Sequence, residues 1–244
     1  MTKKRKNEPF LVRDCSLAAV AVGVQAQSLR ELRDKIATIH PGSIYHHFWG
    51  GRLRPQFEHP EYHNDFAAWA HHALHDNVLA ERLGVIDPTD FKDLEGLRQE
   101  LIDVIEERLD EQDWLAWARR EDQFHFIRSQ IVVFSTPLRI ETPADMQDVI
   151  PSMSASSIFY HFIDARRRTP EFLDDFCTWL NGFDGKYDDL IQGIGQIDPY
   201  FLSLVDLKQR LSETVSDYLM GVGYVKTYIE QTHRRSDERE GNGQ

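Results

Sequence analysis

What this sequence lacks narrows it first. It has only two cysteines, Cys15 and Cys177, and no CxxC spacing, so neither a disulfide framework nor a cysteine-rich metal ribbon can hold it together. That points to a reducing, cytoplasmic setting. No apolar run approaches the ~18 residues that suggest a membrane span. The longest, Ser16 to Val24, follows the charged Arg13 and Asp14 and has no cleavage pattern after it, which argues against a secretory signal as well as an anchor. Basic clusters are scarce too. A net charge of -12 disfavours nucleic-acid binding, which needs grouped Lys and Arg to neutralise phosphates. The one basic run, Lys3 to Lys6, reads as part of a solvated, disordered arm over 1–9. There is no GxSxG elbow and no HExxH, and "GIGQI" and "GVGYV" lack the spacing of a phosphate-cradling loop.

What is there is self-similarity. Phe10 to Phe48 aligns without a gap to Phe124 to Phe162, so that Leu17 faces Ile131 and "SIYHHF" faces "SIFYHF". After a short length difference, "HPEYHNDFAAW" matches "TPEFLDDFCTW", and Ile86-Asp87-Pro88 matches Ile197-Asp198-Pro199. Phe91, Leu94, Leu97, Leu101 and Leu109 then match Phe201, Leu204, Leu207, Leu211 and Leu219. The chain reads as two tandem copies of a unit of about 100 residues, an ordinary domain size. The boundaries are 10–109 for the first copy, 110–123 for a helical connector carrying Trp114 and Trp117, and 124–220 for the second copy. A C-terminal extension follows over 221–244, polar and disordered from about residue 231.

Each copy predicts about one strand and four helices. The β-branched "IVVF" (Ile131 to Phe134) marks a strand, and Leu17 to Val22 is its counterpart. Ser28 and Thr142-Pro143 read as helix starts, and Ser43 and Ser157 as caps of a second helix. A third helix is expected from about Asp65 into Arg82, and from Asp175 through the glycine-interrupted stretch 182–195. Asp87-Pro88 and Asp198-Pro199 read as cap and first residue of a fourth, carrying the leucine stripe. The fold class is therefore α+β, predominantly helical. A lone strand leaves its backbone groups unpaired, so the two strands are expected to pair around a pseudo-twofold.

The motif order, from "EPFLVRDCSL" and "QFHFIRSQIVVF" through "SIYHHF" or "SIFYHF" to "NDFAAW" or "DDFCTW" and then "LGVIDPTDFKDLEGL", resembles a prokaryotic domain-of-unknown-function family, number 5752, over about residues 10 to 220. The resemblance implies no activity.

Candidate chemistry comes in two sets. Eight of the eleven histidines fall between His40 and His75. On the predicted third helix His71 and His75 would share a face, and with His46 or His47 and Asp65 or Asp76 could ligate a divalent metal such as zinc, iron or manganese. In the second copy His46, His71 and His75 become Tyr160, Asn181 and Gly185, so a solvated or hydrogen-bonding histidine face is the plainer reading. The second set recurs in both copies: Ser43/Ser157, His47/His161, Arg52/Arg166, Glu61/Glu171, Asp65/Asp175, Trp69/Trp179 and Asp87/Asp198. His47 or His161 could act as acid or base, and Arg52 or Arg166 could bind a carboxylate or phosphate. The same residues could equally serve packing, with buried polar groups satisfied internally. The first expectation is therefore a non-catalytic binding or regulatory module with no cofactor. An apolar or tryptophan-bearing groove between the copies, or the connector, would hold a protein partner or a small anionic ligand, with Arg52, Arg166, Trp69 and Trp179 as binding residues. The alternative is an enzyme centred on His47, His71, His75, Asp65 and Arg52, metal-assisted or acting on an anionic metabolite such as a sugar phosphate.

Overall fold

The computed structural model describes residues 8–53, 61–111, 117–169 and 171–221. Residues 1–7 of the expected arm over 1–9, Trp114, and 222–244 of the expected extension over 221–244 lie outside these residues. Two strands, β1 (Phe10–Ala26) and β2 (Phe124–Ile140), pair antiparallel and form the one sheet among the described residues. Both are longer than the apolar runs that announce them, because their ends carry the aromatic residues Phe10, Phe124 and Phe126 into the core. Leu17 pairs with Ile131 at the middle of the register, the two residues that the gapless alignment sets opposite each other. The ends are mirrored: Phe10 lies opposite Ile140, and Ala26 opposite Phe124. So are the irregularities, one beside Val12 and one beside Phe126. Val22 to Val24 bulge at one, where Gly23 takes the left-handed φ of 69°, and Thr136 to Leu138 bulge at the other. Pro137 fits there because a bulge asks for no ladder donor.

Helices follow each strand. In the first half they are α1 (Leu29–Ile36), α2 (Pro41–Trp49), α3 (Asp65–His72), α4 (Asn77–Gly84) and α5 (Leu94–Glu111). In the second they are α6 (Met146–Ser152), α7 (Ala155–Ile158), α8 (Asp175–Leu180), α9 (Asp188–Gly195) and α10 (204–221). The fold is α+β and mainly helical. Each half carries five of these helices rather than four, because the expected third helix breaks. His75 sits at φ 55°, and Asp76 starts α4 by accepting from the Leu79 amide at 3.0 Å. Asp184 at φ 55° and Gly185 break its counterpart between α8 and α9.

Several helix starts differ from expectation. Ser28 does cap α1, accepting from the Glu31 amide at 3.3 Å. Ser43 and Ser157 do not cap: His40 accepts from Gly42 before α2, and Ser154 accepts from Ser157 before α7. Asp87 and Asp198 close turns, taking amides at 2.8 Å (Thr89) and 2.7 Å (Tyr200), and the long helices begin later, behind Asp93 and Ser203. Proline after aspartate is common to turns and helix starts, so the dipeptide alone could not separate them. Around Trp117 the expected helical connector is extended instead, bridging Ser28, and Ala118 donates to the Gln27 carbonyl at 2.8 Å.

One hydrophobic cluster runs through both halves. The apolar stripes of α5 (Leu97, Leu101, Ile105) and α10 (Leu207, Leu211, Val215) are buried in it. The packing is crossed: α2 lies on β2 of the other half, and α7 lies on β1. No helix among the described residues is long and apolar enough to cross a membrane.

Candidate functional site

The crossed packing explains what the recurring polar residues do. His47 projects from α2 with its ring nearly fully buried. Its Nδ1 lies 2.8 Å from Asp65 Oδ2 at the start of α3, and its Nε2 receives the Ile127 amide of β2 at 3.2 Å. An amide can only donate, so Nε2 must be the bare nitrogen and Nδ1–H donates to the carboxylate; the tautomer is assigned from the network. One turn earlier Ser43 donates to the carbonyl of the same Ile127 at 2.7 Å. Serine and histidine four apart thus grip both backbone groups of one strand residue.

The second half repeats the histidine part of this grip on β1, while Ser157 instead meets Ser154 Oγ at 2.9 Å. His161 Nδ1 lies 2.7 Å from Asp175 Oδ2, and its Nε2 receives the Arg13 amide at 2.7 Å. The tryptophans complete each cradle. Trp69 donates to the Asp122 carbonyl just before β2 at 2.7 Å, and Trp179 to the Glu8 carbonyl just before β1 at 2.9 Å. Phe124 stacks on Phe66 at 5.1 Å, and Phe10 on Phe176 at 5.0 Å. His47, His161, Asp65, Trp69 and Trp179 therefore surround strand ends, not an open cavity.

Arg52 is spent in the same way. Its guanidinium donates to the carbonyls of Tyr200 and Leu202, stitching the end of the first half's α2 region to the second half. Burial pulls it below its ordinary pKa, while Tyr200, Asp198 and Asp87 pull it back up. The metal candidates separate. His71, half-buried, faces Tyr62 and lies 3.9 Å from Glu61, while His75 lies beyond the end of α3 in the left-handed region. The shared helical face that would have joined them is absent. His46, His47 and Asp65 do place one ligand atom each within 4.8 Å of one another. However, His46 Nδ1 already meets Ser129 Oγ at 2.6 Å, and both nitrogens of His47 are engaged. A metal there would have to break the Asp65 bond or orphan the buried Ile127 amide. Neither thiol is poised as a nucleophile: burial, with Asp164 and Asp14 nearby, pushes Cys15 up to about 12, and burial raises Cys177 as well.

Among the described residues a groove of about 290 Å³ lies open between the halves. Tyr45, Trp49, Phe91, Ile163 and Phe172 form its apolar lining; Arg166, Arg167 and Lys92 stand on it, with Asp90 and Asp93 on the Lys92 side. Arg167 is held by the buried Asp164, which also bonds Arg168 Nε at 2.9 Å and accepts from the Tyr45 hydroxyl at 2.9 Å. Burial and that carboxylate keep the Tyr45 phenol well above its ordinary pKa, so it remains a donor. Arg166 differs from Arg52. Its Nε donates to the Phe162 carbonyl at 3.3 Å and its charge lies 5.0 Å from the Phe162 ring, but it makes no ion pair among the described residues. Phe172 lines the groove at φ 56°, a conformation that costs a bulky residue free energy. Sequence reasoning missed Tyr45, Asp164 and Phe172, because the first two occur in one half only, facing Phe159 and Gly50. The arginine run 166–168 was the available signal, and Asp164 beside it was the overlooked half.

No curated protein matches the chain. Among solved structures it is similar to OrfY from Thermoproteus tenax, with a TM-score of 0.76 and 29% identity, covering 88% of this chain and 97% of that one. The model of a family of unknown function, DUF5752, matches residues 7–216. That span takes in both strands, both cradles and the groove, and the chain belongs to this family.

Proposed function

We propose that this protein is a non-catalytic binding module formed by internal duplication, and that the groove between its halves holds a small organic anion with an apolar body. The duplication is supported by the mirrored strand register and by matched bonds made to the opposite strand, His47 to Ile127 and His161 to Arg13. The two unpaired, buried cysteines support a reducing, cytoplasmic setting. One observation carries the binding reading. Of the two recurring arginines, Arg52 spends both terminal guanidinium nitrogens on backbone carbonyls of the other half, whereas Arg166 stands on an aromatic-lined groove with neither terminal nitrogen bonded to the described residues. A guanidinium so placed offers a forked donor to a carboxylate or sulfonate, and a pocket near 300 Å³ is at the lower end of ligand sites.

Anilinonaphthalene sulfonate, a flat apolar body with one anionic group, is the probe. Saturable fluorescence enhancement at one site per chain is expected. Arg166→Gln should weaken it by roughly ten- to a hundredfold, the value of a charge-assisted hydrogen bond of about 1.5–3 kcal/mol. Phe172→Gly should weaken it too, while relieving the backbone strain and so keeping the fold. Binding that ignores both substitutions, or no saturable binding, overturns the reading.

A further inference from the structure

The middle of the two-stranded ribbon carries a largely apolar face that no other element among the described residues covers. Residues directly opposite in the register share a face, and on the outer one lie Val20, Ala18, Val132 and Phe134, with the uncharged Ser16 and Gln130 between them. Val20 is 40% exposed, Val132 42% and Phe134 50%. Cys15 to Gln25 and Ser129 to Leu138 contain no charged side chain, although the whole chain bears a net charge of -12. Two copies of so acidic a protein repel over most of their surfaces, and this stretch is where the repulsion is least.

The ends of that face are charged, and oppositely. Asp14 pairs with Phe134 at one end, and Arg128 pairs with Val20 at the other. Asp14 has no cationic partner among the described residues; it accepts from the Cys15 amide at 2.7 Å and from Ser154 Oγ at 3.0 Å. Arg128, its stem beside Gly42 at the start of α2, has no carboxylate partner among them.

We infer that the outer face of the ribbon binds the same face of a second copy, with Asp14 of each chain over Arg128 of the other. The two charges lie on opposite strands about 20 Å apart along the ribbon, six residues at ~3.4 Å each. A twofold axis running across the strands exchanges the two ends, and crossing the strands by about 30°, the angle of aligned sheet packing, brings each charge over its complement. Val20, Val132 and Phe134 then lie between the two ribbons. Their apolar area is on the order of a few hundred Å², below the roughly 800 Å² per partner of a stable interface. The dimer is therefore reversible and depends on concentration. It is independent of the groove.

Sedimentation velocity of the full chain tests it. The expected result is a mass that rises from one chain toward two with concentration. Val132→Lys or Phe134→Lys, both at exposed positions, should hold the protein at one chain with an unchanged circular dichroism spectrum. Arg128→Asp and Asp14→Lys should each weaken association about tenfold, because like charges then meet at two places. Mixing those two variants should restore it, since both pairs become opposite again in the mixed dimer. A single chain at all concentrations, a dimer indifferent to Val132→Lys and Phe134→Lys, or no recovery in the mixture overturns the inference.

Discussion

A histidine beside a carboxylate invites a catalytic reading, and at the scale of single residues the second ring nitrogen decides against it. In both halves that nitrogen faces a backbone amide of a strand, and a base already accepting a hydrogen bond that the fold requires has no site left for substrate. This bonding favours a structural role, which should be measured as stability. His47→Phe fits among the rings of Phe66, Phe124 and Phe126 but orphans the Ile127 amide, and His161→Phe orphans that of Arg13. Each should lower unfolding free energy by about 1–3 kcal/mol, the cost of a buried unsatisfied group, as read from urea denaturation. The probe should still bind to the folded variants. Unchanged stability would return these histidines to the list of chemical groups.

At the scale of elements, the two halves diverge where α2 and α7 end. Gly50 closes α2, and a Cβ there would meet the His46 carbonyl oxygen at 2.6 Å and the His46 ring at 2.7 Å. Its φ of -64° is ordinary, so glycine is needed for close approach and not for conformation. Asp164 occupies the matching place in the second half. There the helix widens into a π turn over Phe159–Ile163 before tightening over Asp164–Arg167, which makes room for a side chain. The buried carboxylate then gathers Tyr45, Arg167 and Arg168. Gly50→Ala should cost about 1–3 kcal/mol by overpacking, seen as a lower urea midpoint, because the α-helical turn in the first half lacks that room. A neutral result would mean that α2 can open as its counterpart does.

At the scale of the whole molecule, the crossed cradles mean that neither half completes itself. The β1 strand is gripped by His161 in the π turn after α7, backed by α8 residues, and β2 by residues of α2 and α3; Arg52 and Tyr45 add further bonds across the divide. Chains cut to 1–116 and 117–244 should each be unfolded alone by circular dichroism, and should regain the native spectrum and comigrate when mixed. An isolated half that folds cooperatively would show that the strands are not required partners. The intact chain should accordingly unfold in one transition despite its two-part sequence.

The sequence by itself determined whatever rests on short-range signals. These were the mainly helical α+β class, the β-branched strand at Ile131 to Phe134, the Ser28 cap, the leucine stripes of α5 and α10, and the family. Each depends on residues a few positions apart, whose spacing is readable without coordinates. The break at His75 is signalled only by Asp76 and Asn77, capping residues that a helical reading runs through; Asp76 caps α4 and meets Arg108, and His75 turns left-handed. What the tertiary structure alone decided was the partner of each polar side chain. His47 reaches Ile127 and Arg52 reaches Tyr200 in the other half, and Trp69 reaches Asp122 just before it, so no local spacing encodes them. For the same reason "SIYHHF" and "SIFYHF" name the right residues but not their task. A serine and a histidine one turn apart could hold a substrate or a strand, and in both halves it is the strand of the opposite half that folds back into the histidine's reach.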